Sequence, residues 1–191
     1  MTRIAIVYHS GYGHTAKQAE AVHAGAAAIS GVTATLYPID ADGNLPASTW
    51  EALDAADAIV FGSPTYMGMV SWQFKKFADA SSKPWFAQKW KDKVAAGFTN
   101  SASINGDKLS TLHYLNTLAM QHGMIWVGTG MLPSNTKAAT RNDLNWLAGS
   151  SGLLAQSPSD SSPEEGPLPG DLETAKQFGA RIANITKHIH G

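Results

Sequence analysis

The sequence has no cysteine. That excludes thiol redox, iron–sulfur ligation and thiolate zinc together, so any redox chemistry must come from a bound cofactor. Charge is sparse too: 15% of residues are charged and the formal net charge is −1. Such a balance gives no electrostatic handle for nucleic acid or an anionic membrane. It also argues against a strongly acidic electron shuttle that docks on basic partners. No His/Asp/Glu spacing resembles a metal site. No stretch approaches the roughly 18 consecutive apolar residues of a membrane helix. Ile4–Tyr8 is far too short an apolar run for a signal-peptide core, so the expectation is a soluble cytoplasmic protein.

What is present is enough apolar residue, 43% of 191, for one full-sized domain over residues 1–191. Short apolar runs alternate with helical patterns, the signature of βαβ units and a parallel sheet. Ile4–Tyr8, Val32–Ile39, Ala58–Phe61, Val94–Phe98 and Met124–Val127 read as strands. Between them run helical stripes: Ala19, Val22, Ala26 and Ile29 on a helix over Thr15–Ser30, then Val70, Phe74, Phe77 and Ala78, then Leu109, Leu112, Leu115 and Ala119. Ser48-Thr49-Trp50-Glu51 reads as a capping box opening a short helix. Asp171 reads as the cap of a last helix with the stripe Leu172, Ala175, Phe178, Ile182 and Ile185. Five strands with five helices on both faces predict a doubly wound α/β sheet of order 2-1-3-4-5. Residues from about Leu132 to Gly170, rich in Ser, Pro and Gly, break the rhythm and are expected to form a long loop or lid.

In a sheet of this order the ligand sits outside the carboxyl ends of the strands. The first such loop, Ser10-Gly11-Tyr12-Gly13-His14-Thr15, joins a strand directly to a helix. Its glycines let several N–H groups converge, Ser10 and Thr15 add hydroxyls, and the helix N-terminus adds its dipole. The loop has no lysine or arginine, and neither G-x-x-x-x-G-K-[ST] nor G-x-G-x-x-G is present. What remains suits a terminal phosphate monoester held by neutral donors, although a strand–Gly–helix turn with no ligand would read the same.

Three motifs in order resemble a known family. Ser10-x-Tyr12-Gly13-x-Thr15 resembles the FMN-phosphate loop of the flavodoxin superfamily, and Tyr12-Gly13-His14 that of the NAD(P)H:quinone oxidoreductases of the tryptophan-repressor-binding-protein-A type. Phe61-Gly62-Ser63-Pro64-Thr65-Tyr66-Met67-Gly68 resembles that family's second loop. Trp85, Phe98-Thr99-Asn100-Ser101 and His122-Gly123-Met124 continue the likeness, which covers most of the first 130 residues.

The resemblance implies a flavodoxin-like fold with FMN as cofactor and NAD(P)H as electron donor. Ser10, Gly11, Tyr12, Gly13, His14 and Thr15 would bind the phosphate, and Pro64, Thr65, Tyr66, Met67 and Gly68 would lie along the isoalloxazine. Thr99, Asn100, Ser101, Ala102, Ser103 and Asn105 would close over its pyrimidine edge, with His122 near the ring. Tyr12 would face the nicotinamide and Trp85 would line the substrate pocket. The third loop has fewer glycines than the family's, and the segment after the second strand, Asp40–Pro46, is shorter. Trp85 also reads as a sheet-capping packing residue, Met67 and Met69 as gap-fillers, and His122 before Gly123 as a helix C-terminus.

The implied activity is two-electron transfer from NAD(P)H to a quinone-type acceptor by a ping-pong hydride mechanism, with no strictly required side-chain acid or base. Two further readings are an NAD(P)H-dependent FMN reductase and a flavodoxin-type electron carrier. A homodimer or homotetramer is expected.

Overall fold

Ile4, Ile6 and Tyr8 point to one face of their strand, Ala5 and Val7 to the other, and all are buried. A strand apolar on both faces belongs inside a sheet covered on both sides. It takes that position in the computed structural model, which describes residues 1–191. In chain order the elements are β1 (Thr2–His9), α1 (His14–Ala27), β2 (Val32–Ile39), α2 (Ala47–Ala55), β3 (Ala58–Tyr66), β4 (Met69–Val70) and α3 (Trp72–Ala80). There follow α4 (Ser82–Phe86), β5 (Val94–Ser101), α5 (Lys108–Gln121), β6 (Ile125–Trp126), β7 (Leu153–Gln156) and α6 (Pro169–His190).

The parallel sheet runs β2-β1-β3-β5-β6, the expected order, with β4 an antiparallel extension of β3. One face is covered by α1 and α6 through Ala19, Val22, Phe178 and Ile182. Gly25 and Gly179 let these helices touch: a Cβ on Gly25 would lie 1.8 Å from the Lys176 carbonyl oxygen, and one on Gly179 would lie 1.9 Å from that of Val22. The other face carries α2, α3 and α5 over Phe61, Phe74, Phe77 and Trp90, aromatic rings in stacked and edge-to-face contact. No helix is long and apolar enough to cross a membrane.

The fifth strand departs from the expectation of Met124–Val127. It is built of two pieces on one edge of β5. β6 pairs Ile125 and Trp126 with Val94 and Ala95, and β7 then pairs Leu153–Gln156 with Phe98–Ser101. The chain leaves the sheet after β6 and is pinned where it returns: Trp126 Nε1 donates to the Ser151 carbonyl (2.7 Å) and Thr129 N to that of Ser150 (3.1 Å). The stretch expected as loop or lid therefore contributes a strand. Its four residues, embedded among Ser and Gly, are too few to show a period.

Two caps also differ from the reading of the sequence. α2 starts at Ala47 after Pro46, with no side-chain cap, so Ser48 lies inside the helix. α6 starts at Pro169, placing Asp171 in its first turn. There the carboxylate accepts two bonds from Arg141 (2.7 and 2.6 Å) and one from Gln156 N (2.9 Å).

Candidate functional site

Parallel strands bring their carboxyl ends to one edge, and there the loops after β1, β3, β5 and β7 surround a cleft of about 450 Å³. Of the expected residues, Tyr12, His14, Thr15, Pro64, Thr65, Tyr66, Asn100, Ser101 and Ala102 line it. No lysine, arginine or carboxylate does.

Tyr12, His14 and Thr15 of the Ser10–Thr15 loop border the cleft at the head of α1. Gly13 takes a left-handed conformation (φ +90°) as it enters α1, which turns the loop amides toward the helix N-terminus. The N–H groups of Gly11 through Thr15 have no acceptor within the protein; the first bonded amide is Ala16 N, on Ser10 Oγ at 3.1 Å. Ser10 thereby satisfies one amide of the first turn from outside the helix, whose N-cap is Gly13, and keeps its own hydroxyl proton free. The Thr15 hydroxyl, otherwise buried, borders the cleft and has no protein partner. Convergent amides, hydroxyls and a helix dipole without a cation make a site for a monoester dianion.

Beyond the loop, Tyr66 ends β3 and meets Tyr12 edge-on, ring centroids 6.2 Å apart. The Met67-Gly68 turn, with φ of +47° and +78°, folds the chain back into β4. Beneath the cleft, Thr65 Oγ1 lies 2.8 Å from both Thr99 Oγ1 and Thr111 Oγ1, tying the ends of β3 and β5 to α5.

Several expected residues stand elsewhere. Met67 is fully exposed at the turn tip, so it neither fills a gap nor walls the cleft. Ser10, Gly11, Gly13, Gly68, Thr99, Ser103 and Asn105 belong to the same loops but do not line the cleft. Trp85 sits on α4, half-exposed and outside the cleft. His122 ends α5, whose 14 residues carry it about 21 Å from the Lys108 end to the opposite edge of the sheet. It is 2% exposed and stacked on Trp90 with centroids 4.3 Å apart. The helix-terminus reading holds: Gly123 follows with φ +69°.

The structure adds two groups. Ser157, Ser159 and Ser161, from the segment after β7, line the cleft. Ser157 Oγ donates to Asn100 Oδ1 (3.0 Å), and His14 Nε2 lies 3.0 Å from the Ser161 carbonyl oxygen. Their sequence separation hid them. The other is Lys108, buried directly behind the third loop. It shares a helical face with Leu112, Leu115 and Ala119, whereas Leu109, placed on that stripe by the sequence reading, is exposed. A lysine in phase with three core residues was the available signal.

The profile of the NADPH-dependent FMN reductase family matches residues 14–139. Over the whole chain the sequence is 52% identical to flavodoxin FldP of Pseudomonas aeruginosa, covering all of both proteins. It is 32% identical to an NAD(P)H dehydrogenase (quinone) of Geobacter sulfurreducens, covering 98% of this chain and 99% of that one. The crystal structure of a flavodoxin, WrbA-like protein from Agrobacterium tumefaciens superposes with a TM-score of 0.80 at 52% identity, over 99% of both chains. With its doubly wound sheet and an anion-ready loop at the head of α1, the chain belongs to the NADPH-dependent FMN reductase family.

Proposed function

We propose that the cleft holds FMN and that the protein passes two electrons from NAD(P)H to a quinone-type acceptor. The observation that carries this reading is the row of unpartnered amides from Gly11 to Thr15 beside the Ser10 and Thr15 hydroxyls, with no cation among them. That donor set fits the single phosphate of FMN and lacks the lysine a triphosphate requires.

Bound FMN supplies hydride acceptance and two-electron release; the rest is the work of the chain. Ser10, Thr15 and the loop amides hold the phosphate. Pro64, Thr65 and Tyr66 on one side and Asn100, Ser101 and Ala102 on the other give walls for a flat ring. Tyr12 and Tyr66 shape the open end, where donor and acceptor take turns, which implies ping-pong kinetics. The one imidazole on the wall, His14, is engaged with Ser161, and no carboxylate lines the cleft. The residues therefore act by orienting and by hydrogen bonding.

The resemblance to a protein called a flavodoxin supports a second reading, a non-enzymatic flavodoxin-type electron carrier. Anaerobic addition of NADH or NADPH to the FMN-loaded protein separates the two. Bleaching of the flavin followed by reoxidation with benzoquinone is the expected result. Absence of bleaching with either nucleotide overturns the enzymatic reading in favour of the carrier, and failure to retain FMN overturns both.

A further inference from the structure

Lys108 is 1% exposed. Its Nζ donates to Ser101 Oγ (2.8 Å), the Ser103 carbonyl (2.8 Å) and the Ile104 carbonyl (2.6 Å), which uses all three ammonium protons. No carboxylate lies within ion-pair distance of it. A buried cation without a contact ion pair is costly. Three hydrogen bonds and the more distant Asp171 carboxylate offset part of that cost, and negative charge on a bound ligand would offset more.

Its bonds also set the loop. With the Ser103 and Ile104 carbonyls drawn toward the body of the protein, the N–H groups of Ala102, Ser103, Ile104 and Asn105 are left without acceptors in the chain. The loop that borders the cleft at Ser101 and Ala102 thus pairs unclaimed amides with a cation behind them.

We propose that Lys108 tunes the bound flavin, as a positioning residue for the Ser101–Asn105 loop and as a fixed charge that favours the reduced ring over the oxidised one. The inference rests on the FMN reading above. The reduced form of the ring carries more negative charge than the oxidised form, and charge near the ring nitrogens is a lever by which proteins set flavin potentials. The cation acts through the loop and touches no reacting atom. Burial above all, opposed by Asp171 and reinforced by Arg141, lowers the ammonium pKa to about 8, so the group is charged at neutral pH.

The test uses Lys108→Gln, which keeps a donor for the loop but no charge, and Lys108→Arg, which keeps the charge. The dissociation constant of oxidised FMN is read by fluorescence quenching, and the two-electron midpoint potential against a reference dye. Lys108→Gln is expected to weaken reduced FMN at least tenfold relative to oxidised FMN, a fall in potential of about 30 mV or more. Lys108→Arg is expected to keep that ratio within about threefold of the unaltered protein. A Lys108→Gln protein that binds FMN with an unchanged potential overturns the proposal, and so does one that cannot fold, since the lysine is then purely structural. Failure of the unaltered protein to bind FMN instead overturns the reading of the cleft.

Discussion

Pro163 rests on Gly13: a Cβ built on Gly13 would lie 2.5 Å from the Cγ of the proline ring. The segment after β7 is therefore seated directly on the loop that opens α1, although 150 positions of sequence separate them. His14 makes the second tie, to the Ser161 carbonyl at 3.0 Å.

Gly13→Ala should loosen both. An L side chain at φ +90° costs about 1–2 kcal/mol, and the methyl group must also push Pro163 away. A lower melting temperature together with FMN binding weakened at least tenfold is expected. Unchanged FMN affinity would show that the contact does not shape the site.

Ser10→Ala and Thr15→Ala should each weaken FMN binding by about 1.5–3 kcal/mol, the worth of a hydrogen bond to a charged group. Only Ser10→Ala should also lower the stability of the FMN-free protein, by about 1 kcal/mol, because Ser10 Oγ holds the Ala16 amide. Titration of FMN and thermal melts of the FMN-free proteins separate the two effects.

Acid should destabilise the fold through His122. The Ser81 hydroxyl donates to the Ala78 carbonyl (2.7 Å) and faces His122 Nε2 at 2.9 Å, so the ring donates there and Nδ1 is left a buried acceptor without a partner. Burial lowers its pKa to about 4. The unfolded chain takes up the proton near 6.5, so stability present above that pH falls as the pH drops from 6.5 toward 4, by up to about 3 kcal/mol. His9, also shifted down by burial, adds the same sign. His122→Phe should flatten this part of the profile in urea melts; an unaltered slope would refute the assignment.

Asp171 should prove a clamp on the excursion between the two halves of the fifth strand. Its carboxylate joins Arg141, Gln156 and the first turn of α6, and Arg141 lies 5.3 Å from the centre of the Trp146 ring. Asp171→Ala leaves a partly buried guanidinium without its partner, at a cost of about 3 kcal/mol. Limited proteolysis is expected to cut between residues 132 and 152 well before the rest of the chain. Cleavage no faster than in the unaltered protein would show that other contacts hold the segment.

The sequence by itself determined the sheet order and the place of the cleft. β1 and β5 are apolar on both faces, which only a covered parallel sheet accommodates, and the glycines and hydroxyls of Ser10–Thr15 mark the head of α1 as an anion site through local backbone chemistry. Periodicity located these features because neighbours in the chain produce them. Only the tertiary structure decided that Leu153–Gln156 completes the fifth strand, that Ser161–Pro163 packs on the loop that opens α1, and that Asp171 holds Arg141 and the Gln156 amide from the first turn of α6. It also decided that His122 lies at the far edge of the sheet while Lys108 stands behind the cleft. Each of these depends on contacts between distant segments or on the phase of a single polar residue against a core, and neither leaves a period in the sequence.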